Sequence, residues 1–156
     1  MAIRLNANQQ RETQLLMEWL LSLGKTVQWK THVNVGAEIL QYNGKPLSPA
    51  MQRAFGVWNS WADARVYTGT EVLLVEAKIV ATGTAYGEIM DYLDQYPTSS
   101  DYKQFAPAPI RGVVVAAYAK DRTRVLFSNY NIQTIIFTPS WAADTLSNKV
   151  FSGIGT

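Results

Sequence analysis

The sequence predicts a single α/β domain over residues 1–156, a central mixed β-sheet flanked by helices. Three observations predict it. Helix-spaced and strand-spaced apolar patterns are interleaved along the chain. One segment, IRGVVVAAYA, is apolar almost throughout, as a strand covered on both faces must be. No linker, repeat or low-complexity tract divides the chain, and with 156 residues, 47% of them apolar or aromatic, it can bury a core of its own.

The elements follow in order. From Asn8 to Leu23, apolar residues recur as Leu15, Leu16, Trp19, Leu20 and Leu23, which predicts an amphipathic helix with Asn8 as N-cap and Gly24 as stop. In TVQWKTHVNV, Val27, Trp29, Val33 and Val35 alternate with Gln28, Lys30, His32 and Asn34, which predicts a half-buried strand. Asn43-Gly44 signals a turn, KPLSP reads as loop, and the stretch from Met51 to Trp61 fits either a short helix or an aromatic-rich loop. Two strands, Asp63–Tyr67 and Glu71–Val80, are joined by a Thr-Gly-Thr turn. A helix from about Thr84 to Gln95 would place Tyr86, Ile89, Met90 and Leu93 on one face, with Pro97 ending it. TSSDYKQFAPAP reads as loop, and the apolar strand follows. After a polar stretch, Gln133–Thr138 predicts a last strand, stopped by Pro139.

Composition narrows the chemistry. With no cysteine, disulfides, thiolate zinc sites and cysteine nucleophiles are excluded, and a reducing compartment such as a cytoplasm is expected. His32 is the single histidine, which rules out His-rich metal sites. The formal charge is only +2, so any nucleic-acid partner has to be held by a local patch. The N-terminal MAIRLNANQQRETQ is too polar for a signal peptide. No apolar run approaches the roughly 20 residues that span a bilayer, so no membrane partner is expected.

The chemistry-bearing segment is WADARVYTGTEVLLVEAKIV. Side chains alternate along a strand, so Glu76 and Lys78 project from one face, roughly 6.6 Å apart along it. They interrupt a strand otherwise made of Val, Leu, Ile and Ala. Burial there costs several kcal/mol for each charge unless it is paired or metal-bound. The turn at Thr68–Thr70 folds the preceding strand back, so Asp63 would come alongside. Two carboxylates offer hard oxygen ligands to Mg²⁺, with Mn²⁺ as substitute, and a lysine beside them offers compensating charge. That is chemistry suited to phosphodiester hydrolysis, in which a metal acidifies a bound water and neutralises phosphate charge.

Asp63, the twelve residues 64–75, and then Glu76-Ala77-Lys78 on an apolar strand resemble the D-x(n)-(D/E)-x-K signature of the PD-(D/E)XK nuclease superfamily. That superfamily includes restriction endonucleases, Holliday-junction resolvases and phage recombination exonucleases. The resemblance extends over the element order from Asn8 to Thr138, an αβββαβ restriction-endonuclease-like core. It implies a metal-dependent DNA endonuclease of a phage or mobile element. Asp63, Glu76 and the Ala77 carbonyl would be metal ligands, and Lys78 would contact the attacking water. Family members often add an acid from the first helix, for which Glu18 is the candidate. The helix after the motif often adds a Gln or Tyr, for which Tyr86, Tyr92 and Gln95 are candidates. Residue 62 is Ala where the family name has Pro.

Each of these residues has a plainer reading. Glu76 and Lys78 also suit a salt-bridged pair at a strand end, Asp63 a turn residue, Glu18 a solvated helix position, and His32 a solvated histidine. Trp58 and Trp61 suit base stacking, packing or a subunit interface. Arg111, Lys120, Arg122 and Arg124 suit either a phosphate-contacting patch or a solvated face. The expected partner is DNA, with a homodimer or larger assembly, in a cytoplasm (a host's, for a viral protein). The alternative is a catalytically inactive nuclease-like fold serving as a structural or DNA-binding module, for instance in a viral particle.

Overall fold

The computed structural model describes residues 5–36, 41–51 and 60–152. Its elements run α1 (Ala7–Ser22), β1 (Gln28–Asn34), β2 (Gln41–Tyr42), β3 (Lys45–Pro46), β4 (Trp61–Tyr67), β5 (Val72–Ala81), α2 (Gly83–Gln95), β6 (Ile110–Ala119), α3 (Asp121–Asn129), β7 (Ile132–Ile136) and α4 (Ser140–Ser152). Five strands form one mixed sheet in the order β1-β4-β5-β6-β7. β4 runs antiparallel to both β1 and β5, while β6 runs parallel to β5 and β7 parallel to β6. This is the α/β architecture read from the sequence.

Helices cover both faces. Leu16, Trp19 and Leu20 of α1 pack on Val66, Leu73, Val75, Val113 and Val115. Beside them, Ala142 of α4 joins Leu15, Ile79 and Ala117 on the same face. On the other face Ala85, Ile89 and Tyr92 of α2, with Phe127 of α3, lie against Val72, Leu74, Val114 and Ala116. β6 is thereby apolar on both sides, which explains its unbroken run. Gly112 lets α2 come close, because a Cβ at that position would overlap Ile89 Cγ2. Among the described residues no helix is long and apolar enough to cross a membrane.

The helix caps and turns differ from the sequence reading in instructive ways. α1 is capped by Asn6, whose Oδ1 accepts from Gln9 N at 2.9 Å while the Gln9 side chain accepts from Asn6 N. This reciprocal box outcompetes Asn8, whose amide donates to Glu12 instead. Gly24 takes φ 77 and ends the helix, as expected. Asn43 and Gly44 both take positive φ and join β2 to β3, so part of KPLSP is strand rather than loop. The buried stripe of α2 is Ala85, Ile89 and Tyr92, while Met90 is 37% exposed. The helix is therefore rotated from the expected face, bringing Tyr92 onto the sheet. Trp58 and most of the Met51–Trp61 stretch lie outside the described residues.

α3 and α4 were absent from the sequence reading. α3 buries only Phe127 and leaves Val125 58% exposed, so DRTRVLFSN carries no apolar stripe to read. The segment read as loop between α2 and β6 contains two 3₁₀ turns, Tyr96–Thr98 and Tyr102–Gln104. It also holds a buried ion pair. Arg65 of β4 donates to Asp101 in a fork, Nε to Oδ2 at 2.9 Å and Nη2 to Oδ1 at 3.0 Å. Tyr96 donates to the same carboxylate at 2.6 Å, and the guanidinium lies 4.7 Å from the centre of the Phe105 ring.

Candidate active site

The site arises where the sheet comes apart. β1 and β4 pair from Gln28 opposite Tyr67 to Asn34 opposite Trp61, with one rung left unpaired, His32 opposite Asp63. Residues two or four apart in a strand share a face. Here the rule breaks on both strands at that rung. Trp29 packs against the α1 side and Val33 and Val35 against the α2 side. Likewise Ala64 and Val66 face α1, and Ala62 faces α2. His32, at φ 53, supplies the break in β1. The alternation expected for Val27, Trp29, Val33 and Val35 therefore holds only on each side of His32.

On its other edge β4 leaves β5 at the same level, the last pair being Ala64 opposite Val75. The gap is closed by a side chain: Ala77 N donates to Asp63 Oδ2 at 2.9 Å. In a strand the N–H and C=O of one residue point to the same side, so the Ala77 carbonyl also faces the gap that Asp63 occupies. Asp63, Glu76 and Lys78 are thus brought together as the sequence predicts.

Glu76 and Lys78 share the α2 side of β5. Lys78 Nζ lies 3.0 Å from Glu76 Oε1 and 3.3 Å from Glu88 Oε2 of α2. Tyr92, one turn further along α2, donates its hydroxyl to Glu76 Oε2 at 2.8 Å. Glu88 Oε2 is buried, with Lys78 as its ion-pair partner and no well-aligned hydrogen-bond donor. Of the three helix candidates, Tyr92 is the one at the site. Gln95 instead hydrogen-bonds Ser60 and Asp91, and Tyr86 packs with Phe127 and Tyr130.

Asp63, Glu76 and Lys78 line a cleft of about 490 Å³ between α1 and the parted strand ends, walled also by Gln9, Glu12, Thr13, Met17, Thr31 and His32. The acid that α1 contributes is Glu12, not Glu18. Glu18 lies almost two turns further along and is absent from the cleft wall, and its Oε2 accepts from Trp141 Nε1 at 2.8 Å, tying α1 to α4. Glu18 therefore has a structural role that no sequence pattern announces, since Trp141 is far off in the chain. The basic patch is divided: Arg111, at the start of β6, forks onto Glu71, while Lys120, Arg122 and Arg124 follow the far end of that strand.

Charge is unevenly distributed in the cleft. Burial raises the Asp63 carboxyl above its ordinary range, against the opposing pull of Ala77 N–H and Lys78. Glu76 is pushed up to about 9, by burial first, then by the neighbouring Glu88 carboxyl and the charge of Asp63. Burial alone would depress Lys78, but Glu76, Glu88 and Glu12 outweigh it and hold the ammonium above its usual value. Burial and Glu76 hold the Tyr92 phenol well above its own. Carboxylates outnumber the ammonium that faces them.

A divalent cation suits such a deficit. Among the described residues no group of three or more His, Asp or Glu side chains is placed to hold a metal ion. Mg²⁺ does not need one, since it keeps several waters and takes one or two carboxylates. Asp63 and Glu76 both line the one cleft, so two carboxylates are available there. A donor set of carboxylate oxygens without histidine or thiolate suits that ion better than zinc or copper. Comparison of the chain with models of known protein families, with characterised proteins and with solved structures finds no match.

Proposed function

We propose that this domain is a Mg²⁺-dependent nuclease that hydrolyses phosphodiester bonds in DNA, with Mn²⁺ as a substitute metal, and that it is a member of the PD-(D/E)XK superfamily. One observation carries the reading: Asp63 and Glu76, from adjacent strands, line one cleft together with Lys78, which pairs with Glu76. Asp63, Glu76 and the Ala77 carbonyl would hold the ion, which when bound supplies an acidified water and charge neutralisation at the phosphate. Lys78 would orient the attacking water and stabilise charge developing on the phosphate oxygens. Tyr92 fixes the Glu76 carboxylate through the 2.8 Å hydrogen bond. Glu76 and Glu88, with Glu12 from α1, keep Lys78 protonated.

A second reading, a catalytically inactive module in a larger assembly such as a viral particle, is favoured by one feature. Lys78 is engaged by both Glu76 and Glu88, as in a structural salt bridge. A single panel separates the two readings. Duplex, single-stranded, flapped and four-way-junction DNA, and RNA, are incubated with Mg²⁺, Mn²⁺ or EDTA, alongside Asp63→Asn and Glu76→Gln proteins. Cleavage of DNA that needs the metal and vanishes in both variants supports the nuclease. A blank panel, or activity that survives in both variants, sinks it.

A further inference from the structure

The unpaired rung carries a second feature, which the carboxylate chemistry does not use. His32 and Trp61 stack face to face, ring centres 4.3 Å apart and planes within 5°. Neither ring serves the core: His32 is exposed and Trp61 is 39% exposed. His32 is also held at φ 53, a left-handed conformation that costs energy for any side chain bearing a Cβ. Such conformations persist where the surroundings over-determine them, and they cluster at binding sites. Here the outcome is an exposed stack of two rings across edge strand β1 and its neighbour β4, beginning at the cleft wall that His32 shares with Asp63 and Glu76.

We infer that the His32–Trp61 pair is a stacking platform for an unpaired nucleobase, so that the substrate is DNA that is single-stranded or frayed beside the cleaved phosphate. Only the last step, cleavage beside the stacked base, rests on the nuclease reading. A nucleobase is the occupant that matches the geometry. Every base presents a π-face to a flat ring pair, whereas the bases of an intact duplex are stacked on one another and unavailable. The phosphate attached to a base seated on the platform is then within reach of the cleft that His32 lines. Stacking of this kind tolerates any sequence, so the platform selects strand structure and not base identity.

The test is a binding measurement that needs no turnover. Single-stranded oligonucleotides carrying one 2-aminopurine, and a blunt duplex of the same length, are titrated with the protein in Ca²⁺ or EDTA. Wild type is expected to bind the single strand about tenfold more tightly than the duplex and to quench the 2-aminopurine. Trp61→Ala should lose roughly five- to a hundredfold in single-strand affinity, the range for one stacked base, with duplex binding unchanged. Trp61→Phe should keep most of the quenching. His32→Gly serves as the folding control, since glycine relieves the positive φ while removing one ring. It should melt no lower than wild type and still bind the single strand more weakly. Equal affinity for the two DNA forms, no binding to either, or quenching that survives in Trp61→Ala overturns the platform. Binding as expected without cleavage in Mg²⁺ would overturn the nuclease reading alone.

Discussion

Tyr92 and Glu76 are joined across the sheet–helix interface by a 2.8 Å hydrogen bond from phenol to carboxyl, both side chains being buried. The bond holds Glu76 Oε2 in place while Oε1 is held by Lys78. A carboxylate held at both of its oxygens loses little freedom on engaging an ion, as the proposed ligand role of Glu76 requires.

Tyr92→Phe therefore tests positioning rather than chemistry. The ring still fills its place against the sheet, so the fold should survive with a loss of about 1 kcal/mol, the net worth of one hydrogen bond. Cleavage should fall on the order of tenfold, chiefly in kcat, with weaker Mg²⁺ binding. Thermal melting and steady-state kinetics on one preparation read both. Unchanged kinetics would show that Glu76 needs no orienting partner.

Lys78 makes a contrasting case. Its ammonium faces the proposed water, so its stabilisation should be felt mainly in the transition state. Lys78→Ala should lower the cleavage rate by at least a hundredfold, on the order expected for loss of one electrostatic donor, while leaving DNA affinity within a factor of a few. Equal losses in binding and cleavage would make Lys78 a phosphate contact instead.

Away from the cleft, the Arg65–Asp101 pair anchors the turn segment to β4. Both side chains are nearly inaccessible, at 7% and 10%. Burial tends to raise the Asp101 carboxyl, yet the Arg65 fork and the Tyr96 hydroxyl hold it below its ordinary range. Asp101→Ala would leave a buried guanidinium without its counter-charge, a loss of about 3–5 kcal/mol, read by denaturant titration. Mg²⁺ affinity of the folded fraction should be unchanged, since neither residue lines the cleft.

Much of this organisation was legible in the residues. Asp63, Glu76 and Lys78 were readable because charge on an otherwise apolar strand is costly and therefore conspicuous, and because a three-residue turn lets one strand return beside the other. The contribution of α1 was not. Glu12 and Glu18 lie on the same helix, and only the packing of Trp141 from α4 on Glu18, with the cleft opening at Glu12, separates them. Glu88 passed unnoticed because a glutamate on a helix reads as solvated until the strand opposite is known to carry Lys78. Nor could the alternation in TVQWKTHVNV reveal that the strand changes faces at His32, since a positive φ at a histidine leaves no mark in the sequence.

Protons should report on the metal. Glu76 has a folded-state value of about 9 against an ordinary 4.5, so between those limits the metal-free folded protein holds a proton that the unfolded chain has released. The folded state binds more protons there, so this stabilisation is complete below about pH 4.5 and lost as pH rises through 9; Asp63, also raised, acts in the same direction. The metal-free protein should therefore melt lower with each step from pH 5 to 9, and Glu76→Gln should flatten that slope. Mg²⁺ binds the ionised carboxylate and must displace the proton. Calorimetry at pH 7 in buffers of different ionisation enthalpy should detect close to one proton released per ion, and Mg²⁺ affinity should climb up to about pH 9. Glu76→Ala should abolish Mg²⁺ binding. Equal affinity in wild type and Glu76→Ala, or binding with no proton release, would place the ion elsewhere and remove Glu76 from the proposed ligand set.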